Sequence, residues 1–211
     1  MVFYRILWWI AAKGSALVFR ARVTGQKRLP ADGGYVLAPS HRSMMDVTLV
    51  AVVTQRKIRF MGKAEVFRIP VLGWLFRTLG GLEVARDGTD RKALRDAMVM
   101  LQAGDPLVVF PEGTRQNGPK IQPLQPGAAY LALRANVPIV PVGIAGTEEI
   151  ARSSGRRLPR FGRVAIVVGE PLLPPARTTS AVPRAEVDAL TTRLAEELQQ
   201  VFDEALELRE A

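Results

Sequence analysis

Tyr35-Val36-Leu37-Ala38-Pro39-Ser40-His41-Arg42-Ser43-Met44-Met45-Asp46 passes from an apolar run to a polar one and then toward a helix. Tyr35 to Ala38 reads as a short buried strand, because it follows the Ala31-Asp32-Gly33-Gly34 turn and carries no charge. A helix-like segment follows from about Asp46 to Thr54. The same alternation continues along the chain. Ile58 to Met61 and Leu82 to Val84 are strand-like, and Thr89 to Gln102 is a helix with Ala93, Leu94, Ala97, Met98 and Leu101 on one face. Leu107 to Phe110 is a continuous apolar strand, Gly127 to Arg134 is helical, and Pro138 to Ile144 and Arg163 to Val168 are extended. Pro183 opens a last helix, with Val187, Leu190, Leu194, Leu198, Val201 and Phe202 as its buried stripe. Strands alternating with helices predict an α/β fold, a mixed and largely parallel central sheet flanked by helices.

Open α/β sheets bind ligands at the carboxyl ends of their strands, which selects two loops. After the first strand comes Ser40 to Asp46; after the Leu107 strand comes Pro111-Glu112-Gly113-Thr114-Arg115. His41 is the single histidine and the natural general base at neutral pH. Asp46 is a candidate to orient it. On a continuous helix the two side chains would stand roughly 140° apart. They meet only if His41 lies in the loop and Asp46 in the first helical turn. In the second loop, Gly113 permits close backbone approach, Thr114 offers a hydroxyl and Arg115 a guanidinium, a set able to hold a phosphate or another oxyanion. Glu112 is out of place beside an anion, and is expected to fix Arg115 or to accept from a substrate hydroxyl.

Composition narrows the chemistry. The 211 residues contain no cysteine, which excludes a disulfide framework, a thiolate zinc site and a cysteine nucleophile. One histidine excludes a multi-histidine metal centre, so no metal or resident cofactor is expected. The net charge of +9 is unevenly spread. Residues 186–211 hold eight acids and two arginines, whereas residues 1–185 hold 27 basic and 12 acidic side chains. A body of that sign is drawn to polyanions: nucleic acid, an anionic membrane surface or phosphorylated substrates. Only 7% of residues are aromatic and they are not interleaved with the basic ones, so no nucleic-acid partner is expected.

The first residues point to the membrane surface. Within MVFYRILWWIAAKGSALVF the longest uncharged apolar run is Ile6 to Ala12, far short of the roughly 20 residues of a spanning helix. The segment also lacks the pattern of a signal peptide. On a helix, Phe3, Leu7, Ile10, Leu17 and Val18 fall within an arc of about 100°, and Arg5, Lys13 and Arg20 cluster elsewhere. Trp8 and Trp9 suit the headgroup boundary. Residues 1–22 therefore read as an amphipathic membrane-surface helix before a domain spanning 23–211; an amphipathic helix packed on that domain is the alternative.

Four blocks in order resemble one known family. Ser40-His41-Arg42-Ser43-Met44-Met45-Asp46 looks like the His-x4-Asp motif of glycerolipid acyltransferases, in particular the 1-acylglycerol-3-phosphate acyltransferases. Phe110 to Arg115 is similar to their third block and Val137 to Val142 to their fourth. Gly62-Lys63-Ala64-Glu65, Gly73 and Val84-Ala85-Arg86 resemble the second. The likeness runs from about Val23 to Gly169.

The resemblance implies a reaction and a set of roles. His41, oriented by Asp46, takes the proton from the acceptor hydroxyl, whose oxygen attacks the thioester of acyl-CoA or acyl-carrier protein without an acyl-enzyme. Arg86 and Arg115 bind the acceptor phosphate, Glu112, Gly113 and Thr114 shape that site, and Lys63 assists. The acceptor implied is lysophosphatidic acid and the product phosphatidic acid, made at the cytoplasmic face of the cell membrane. Departures from the family pattern leave a second acceptor class open, another polar lipid such as a lysophospholipid, an amino-acid lipid or a glycolipid. Ser40 stands where the family usually has Asn, Gln116 where it has Ser, and Leu124-Gln125-Pro126 where it has a basic pair. A non-catalytic lipid-binding module is a third reading. The Arg152–Arg160 cluster is expected to meet the diphosphate of CoA, an acidic carrier protein or anionic headgroups, or else to be a solvated loop.

Overall fold

Where an apolar strand is covered on both faces, every residue along it is buried, and two such strands stand at the middle of this chain's sheet. In the computed structural model, which describes residues 14, 16–63, 81–84, 91–151, 162–175 and 181–211, these are β2 (Val36–Pro39) and β6 (Ile139–Ala145). They lie side by side and parallel, Val36 opposite Ile139 and Ala38 opposite Pro141. Around them stand β1 (Arg22–Thr24), β3 (Arg59–Lys63), β4 (Gly81–Val84), β5 (Leu107–Val108) and β7 (Ala165–Val168). The sheet order is β1-β7-β6-β2-β5-β3-β4. Only the β6–β7 pair among these is antiparallel, so the sheet is mixed and largely parallel, as the sequence leads one to expect.

Alternate residues of each strand supply opposite faces. Tyr35, Leu37, Val108, Val140, Val142 and Ile166 face α1 (Asp46–Leu49) and the 3-10 segment Val50–Val53 that continues it. Val36, Ala38, Leu107 and Ile139 face α2 (Arg91–Gln102), α3 (Gly127–Ala135) and the first half of α5 (Arg184–Glu210). The second half of α5 covers Ala145, Ala165 and Val167 with Leu198, Val201, Phe202 and Ala205. The stripe expected on this helix is buried throughout. Each such large side chain contributes about 1.5–3 kcal/mol when removed from water.

Contact between α5 and β6 is close because of Gly143. A Cβ there would stand 2.1 Å from the Val201 carbonyl oxygen, so only glycine lets the helix rest on the strand. At its far end Arg209 clasps Glu149 of the short helix α4 (Thr147–Ala151), and Arg22 of β1 donates to the Leu208 carbonyl at 3.1 Å.

Several boundaries differ from the sequence reading. The helix expected from Asp46 to Thr54 tightens to 3-10 at Val50, where the β-branched run Val50, Val52, Val53 crowds against the sheet and all four residues from Val50 to Val53 are buried. The strand expected to reach Phe110 stops at Val108, although the Val109 N–H still donates to the Leu37 carbonyl at 2.9 Å. β1 and α4 are additional elements. Residues 1–13 and 15 lie outside the described set, and with them most of the expected N-terminal helix; residues 16–18 are helical. Among the described residues no helix is long and apolar enough to cross a membrane.

Candidate active site

β2 and β5 are parallel neighbours, Leu37 opposite Val108, so the segments that leave their carboxyl ends emerge side by side. One carries His41 and the other Glu112 to Arg115. They are tied directly: the Gln116 N–H donates to the His41 carbonyl at 2.9 Å. The end of β2 is fixed on its other side by Ser40, fully buried, whose hydroxyl accepts from the Ile144 N–H of β6 at 2.9 Å. The serine that replaces the expected asparagine thus anchors this loop to the neighbouring strand.

His41 lies in the loop and Asp46 is the first residue of α1, the geometry that the five-residue spacing requires. The Nδ1–Oδ2 distance is 3.0 Å. Oδ2 also accepts from the backbone N–H groups of Arg42 (2.6 Å) and Ser43 (2.7 Å), so one carboxylate oxygen holds both the loop and the ring. Asp46 is fully buried and its Oδ1 has no partner among the described residues. A carboxylate only accepts, so Nδ1 carries the proton and the lone pair of the neutral ring resides on Nε2. The Phe110 ring lies 4.1 Å from the imidazole, centroid to centroid, at 32°. The side chain of His41 remains 14% exposed against 0% for Asp46, so the ring keeps an edge open to solvent.

Glu112 requires a correction. It neither fixes Arg115 nor faces outward to accept from a substrate. It is buried against Arg42, whose Nη1 lies 2.9 Å from each carboxylate oxygen. A buried ion pair is tolerable when its remaining lone pairs and protons find partners. Here Oε1 accepts from the His41 N–H at 2.9 Å, Oε2 from the Gln122 N–H at 3.2 Å, and Arg42 Nη2 donates to the Lys120 carbonyl at 3.1 Å, while Arg42 Nε is left without a partner among the described residues. The guanidinium also stacks 4.7 Å from the centroid of Phe202 on α5. Arg42 is the residue that sequence reasoning passed over. Its signal was Glu112 itself, a carboxylate beside an expected anion site and therefore in need of a cation from elsewhere.

Gly113, Thr114 and Arg115 are exposed at the turn that follows, and Gly113 adopts φ 71°, which glycine reaches without strain. No carboxylate pairs with Arg115 among the described residues, so its charge is available to an anion. The side chain of Lys63 and all of Arg86 fall outside the described residues, as does the Arg152–Arg160 cluster. Among the described residues no three acidic or histidine side chains gather as a metal site.

Residues 20–145 match the family described as Acyltransferase, which is more than half of the chain. A 1-acyl-sn-glycerol-3-phosphate acyltransferase of Bacillus subtilis is 30% identical over 152 residues, 72% of this chain and 73% of that one. A lyso-ornithine lipid O-acyltransferase of Pseudomonas aeruginosa is 32% identical over 139 residues, 65% of this chain and 52% of that one. The crystal structure of the 1-acyl-sn-glycerophosphate acyltransferase of Thermotoga maritima superposes with a TM-score of 0.70 at 28% identity, covering 93% of this chain and 79% of that one. The chain spans less than two thirds of the length of several curated relatives that it matches. With the His-x4-Asp loop and the Pro-Glu-Gly-Thr-Arg turn at the ends of adjacent parallel strands, the chain belongs to the acyltransferase family, among the 1-acylglycerol-3-phosphate acyltransferases and their relatives.

Proposed function

We infer that this chain moves a fatty acyl group from acyl-CoA or acyl-carrier protein to the free hydroxyl of 1-acyl-sn-glycerol-3-phosphate, giving phosphatidic acid for phospholipid synthesis. The observation that carries the reading is the His41 ring, held through Nδ1 by Asp46 and open at one edge, beside an exposed turn that ends in Arg115. Nε2 takes the proton of the acceptor hydroxyl as its oxygen bonds to the thioester carbonyl carbon. The C–S bond then breaks, and the sulfur leaves with the proton returned by the imidazolium. Asp46 stabilises the imidazolium that forms between the two transfers. Arg115 receives the acceptor phosphate, with Gly113 and Thr114 shaping the turn; Lys63 and Arg86 add charge from the second block. The reaction so written uses no resident cofactor or metal.

The acceptor and the product are both lipids, so the chain works at an anionic membrane surface, at the cytoplasmic face of the cell membrane, held there by residues 1–22. Support comes from the segment that ends this stretch. The Arg22 N–H donates to the Val164 carbonyl and the Val164 N–H to Phe19, at the amino end of β7 and hence the carboxyl end of antiparallel β6. That is also the end of the sheet where His41 stands, since β6 runs parallel to β2. Leu17, 81% exposed, Val18 and the cationic Arg20 are presented there.

A second reading, acylation of an amino-acid lipid or another polar lipid, is favoured by the likeness to the lyso-ornithine lipid O-acyltransferase of Pseudomonas aeruginosa. Thiol release from acyl-CoA and acyl-carrier protein, measured over acceptors with and without a phosphate, separates the two. Preference for the phosphate-bearing acceptor is expected. Preference for a phosphate-free acceptor selects the second reading, and no release with any pair refutes both.

A further inference from the structure

The segment between β5 and α3 contains no helix or strand, yet it carries Thr114 and Arg115 and must hold them at a fixed distance from His41. Its far limb, residues 118–122, has few partners of its own, and its backbone groups are met one after another by side chains. The Gly118 N–H donates to Glu148 of α4 at 3.1 Å, the Lys120 carbonyl accepts from Arg42 at 3.1 Å, and the Gln122 N–H donates to Glu112 at 3.2 Å. Two further groups of the limb are both met by one residue on α5. Gln199 accepts from the Ile121 N–H at 2.8 Å and donates to the Pro119 carbonyl at 3.0 Å.

The Pro119 carbonyl and the Ile121 N–H both turn toward α5, within reach of one side chain. A primary amide offers a donor and an acceptor side by side in one plane, which Gln and Asn alone among side chains supply. Gln199 therefore satisfies a donor and an acceptor of the loop at once. Its remaining N–H donates to Asp203 one turn along the helix at 2.8 Å, which fixes the plane of the amide. Leu198 and Phe202 flank it, the first within the cluster against which Ile121 packs, the second under the Arg42 guanidinium.

We propose that Gln199 is a positioning residue for the acceptor site: through Pro119 and Ile121 it sets where Thr114 and Arg115 stand relative to His41. The proposal rests on the acyl-transfer reading above and adds to it a residue far outside the family blocks. Gln199→Met keeps the length and helix preference of the side chain and removes both bonds to the loop. The expected result is an acceptor KM raised about tenfold, with the acyl-donor KM, kcat and melting temperature close to wild type. Hydrogen exchange at the Ile121 amide should accelerate while that at Ile144 does not. Gln199→Glu, which retains an acceptor for Ile121 but sets a carboxylate oxygen against the Pro119 carbonyl, should raise the acceptor KM as well.

Four results would overturn the proposal. An unchanged Ile121 exchange rate removes the clamp; faster exchange with an unchanged acceptor KM removes its effect on the site. A parallel rise in both KM values with a lower melting temperature reduces Gln199 to general stability. Wild-type protein that acylates no acceptor fails at the earlier step and removes both readings together.

Discussion

Arg42 and Glu112 face each other at 2.9 Å through one guanidinium nitrogen and both carboxylate oxygens, with 2% and 0% of their side chains exposed. Glu112→Ala would leave the guanidinium buried without its counter-charge, at a cost of about 3–5 kcal/mol. The expected thermal melt is lowered by many degrees, before any effect on turnover is considered. Replacing both residues, as Arg42→Met with Glu112→Leu, should cost less than the sum of the single changes. A Glu112→Ala protein that melts like wild type would mean that the pair does not exist in solution.

Among the described residues the Asp46 side chain makes its hydrogen bonds through one oxygen, and this separates its two duties. Asn at this position can place its carbonyl oxygen where Oδ2 lies and its amide toward the unpartnered Oδ1 position, keeping the loop and the Nδ1 proton in place. What it lacks is the charge opposite the imidazolium. Asp46→Asn should therefore fold as wild type and lose kcat on the order of 10²-fold, while His41→Ala loses about 10²–10⁴-fold. Asp46→Ala should lose stability as well, since the Arg42 and Ser43 N–H groups are then orphaned. Equal melting temperatures for the Ala and Asn variants would contradict this division.

Arg115 is exposed, so its removal should leave the fold alone. Arg115→Ala is expected to raise the acceptor KM by about 10-fold or more, the worth of a hydrogen bond to a charged group, and to leave the donor KM nearly unchanged. The reverse pattern would place the acyl donor, not the acceptor, at this turn.

Tyr35 gives the pH dependence its sign. Burial pushes its phenol above the ordinary value of 10.0, opposed only in part by the Thr54 hydroxyl and the Arg56 charge nearby. The folded state thus favours the neutral phenol more than the unfolded chain does. Its contribution to stability is complete below about pH 10 and is lost as the pH rises toward the folded-state value. Tyr35→Phe removes the ionisable phenol, so the variant should lose less stability than wild type between about pH 9 and 11. Denaturant titrations across that range would check it; a steeper alkaline loss in the variant would contradict it.

The sequence carried the architecture wherever a periodic signal was long. The stripe from Val187 to Phe202 repeats over several turns and can be read without coordinates, as can the uncharged runs of β2 and β6. Short elements fail for lack of periods: β1 has three residues, two of them exposed, and α4 has five. The sheet order was not legible, because nothing local says that β7 runs against β6. At the site, His41, Asp46 and the Pro-Glu-Gly-Thr-Arg turn are contiguous motifs and stood out. Arg42, Phe202 and Gln199 did not, because each acts on residues 70 or more positions away. Glu112 was noticed and misassigned for the same reason, its cation lying in the other loop.

Gly143 allows α5 to close directly upon β6, and the order of synthesis gives that closure a timing. Between translation of residue 143 and residue 201 the ribosome takes about 3–12 s. Within this interval Ala145, Ala165 and Val167, once made, wait uncovered by the α5 residues of their cluster, and the loop that follows Arg115 lacks Gln199. A newborn polypeptide halted ahead of Arg184 should therefore expose a sticky sheet to chaperones and dyes and show no acyl transfer until α5 has joined it.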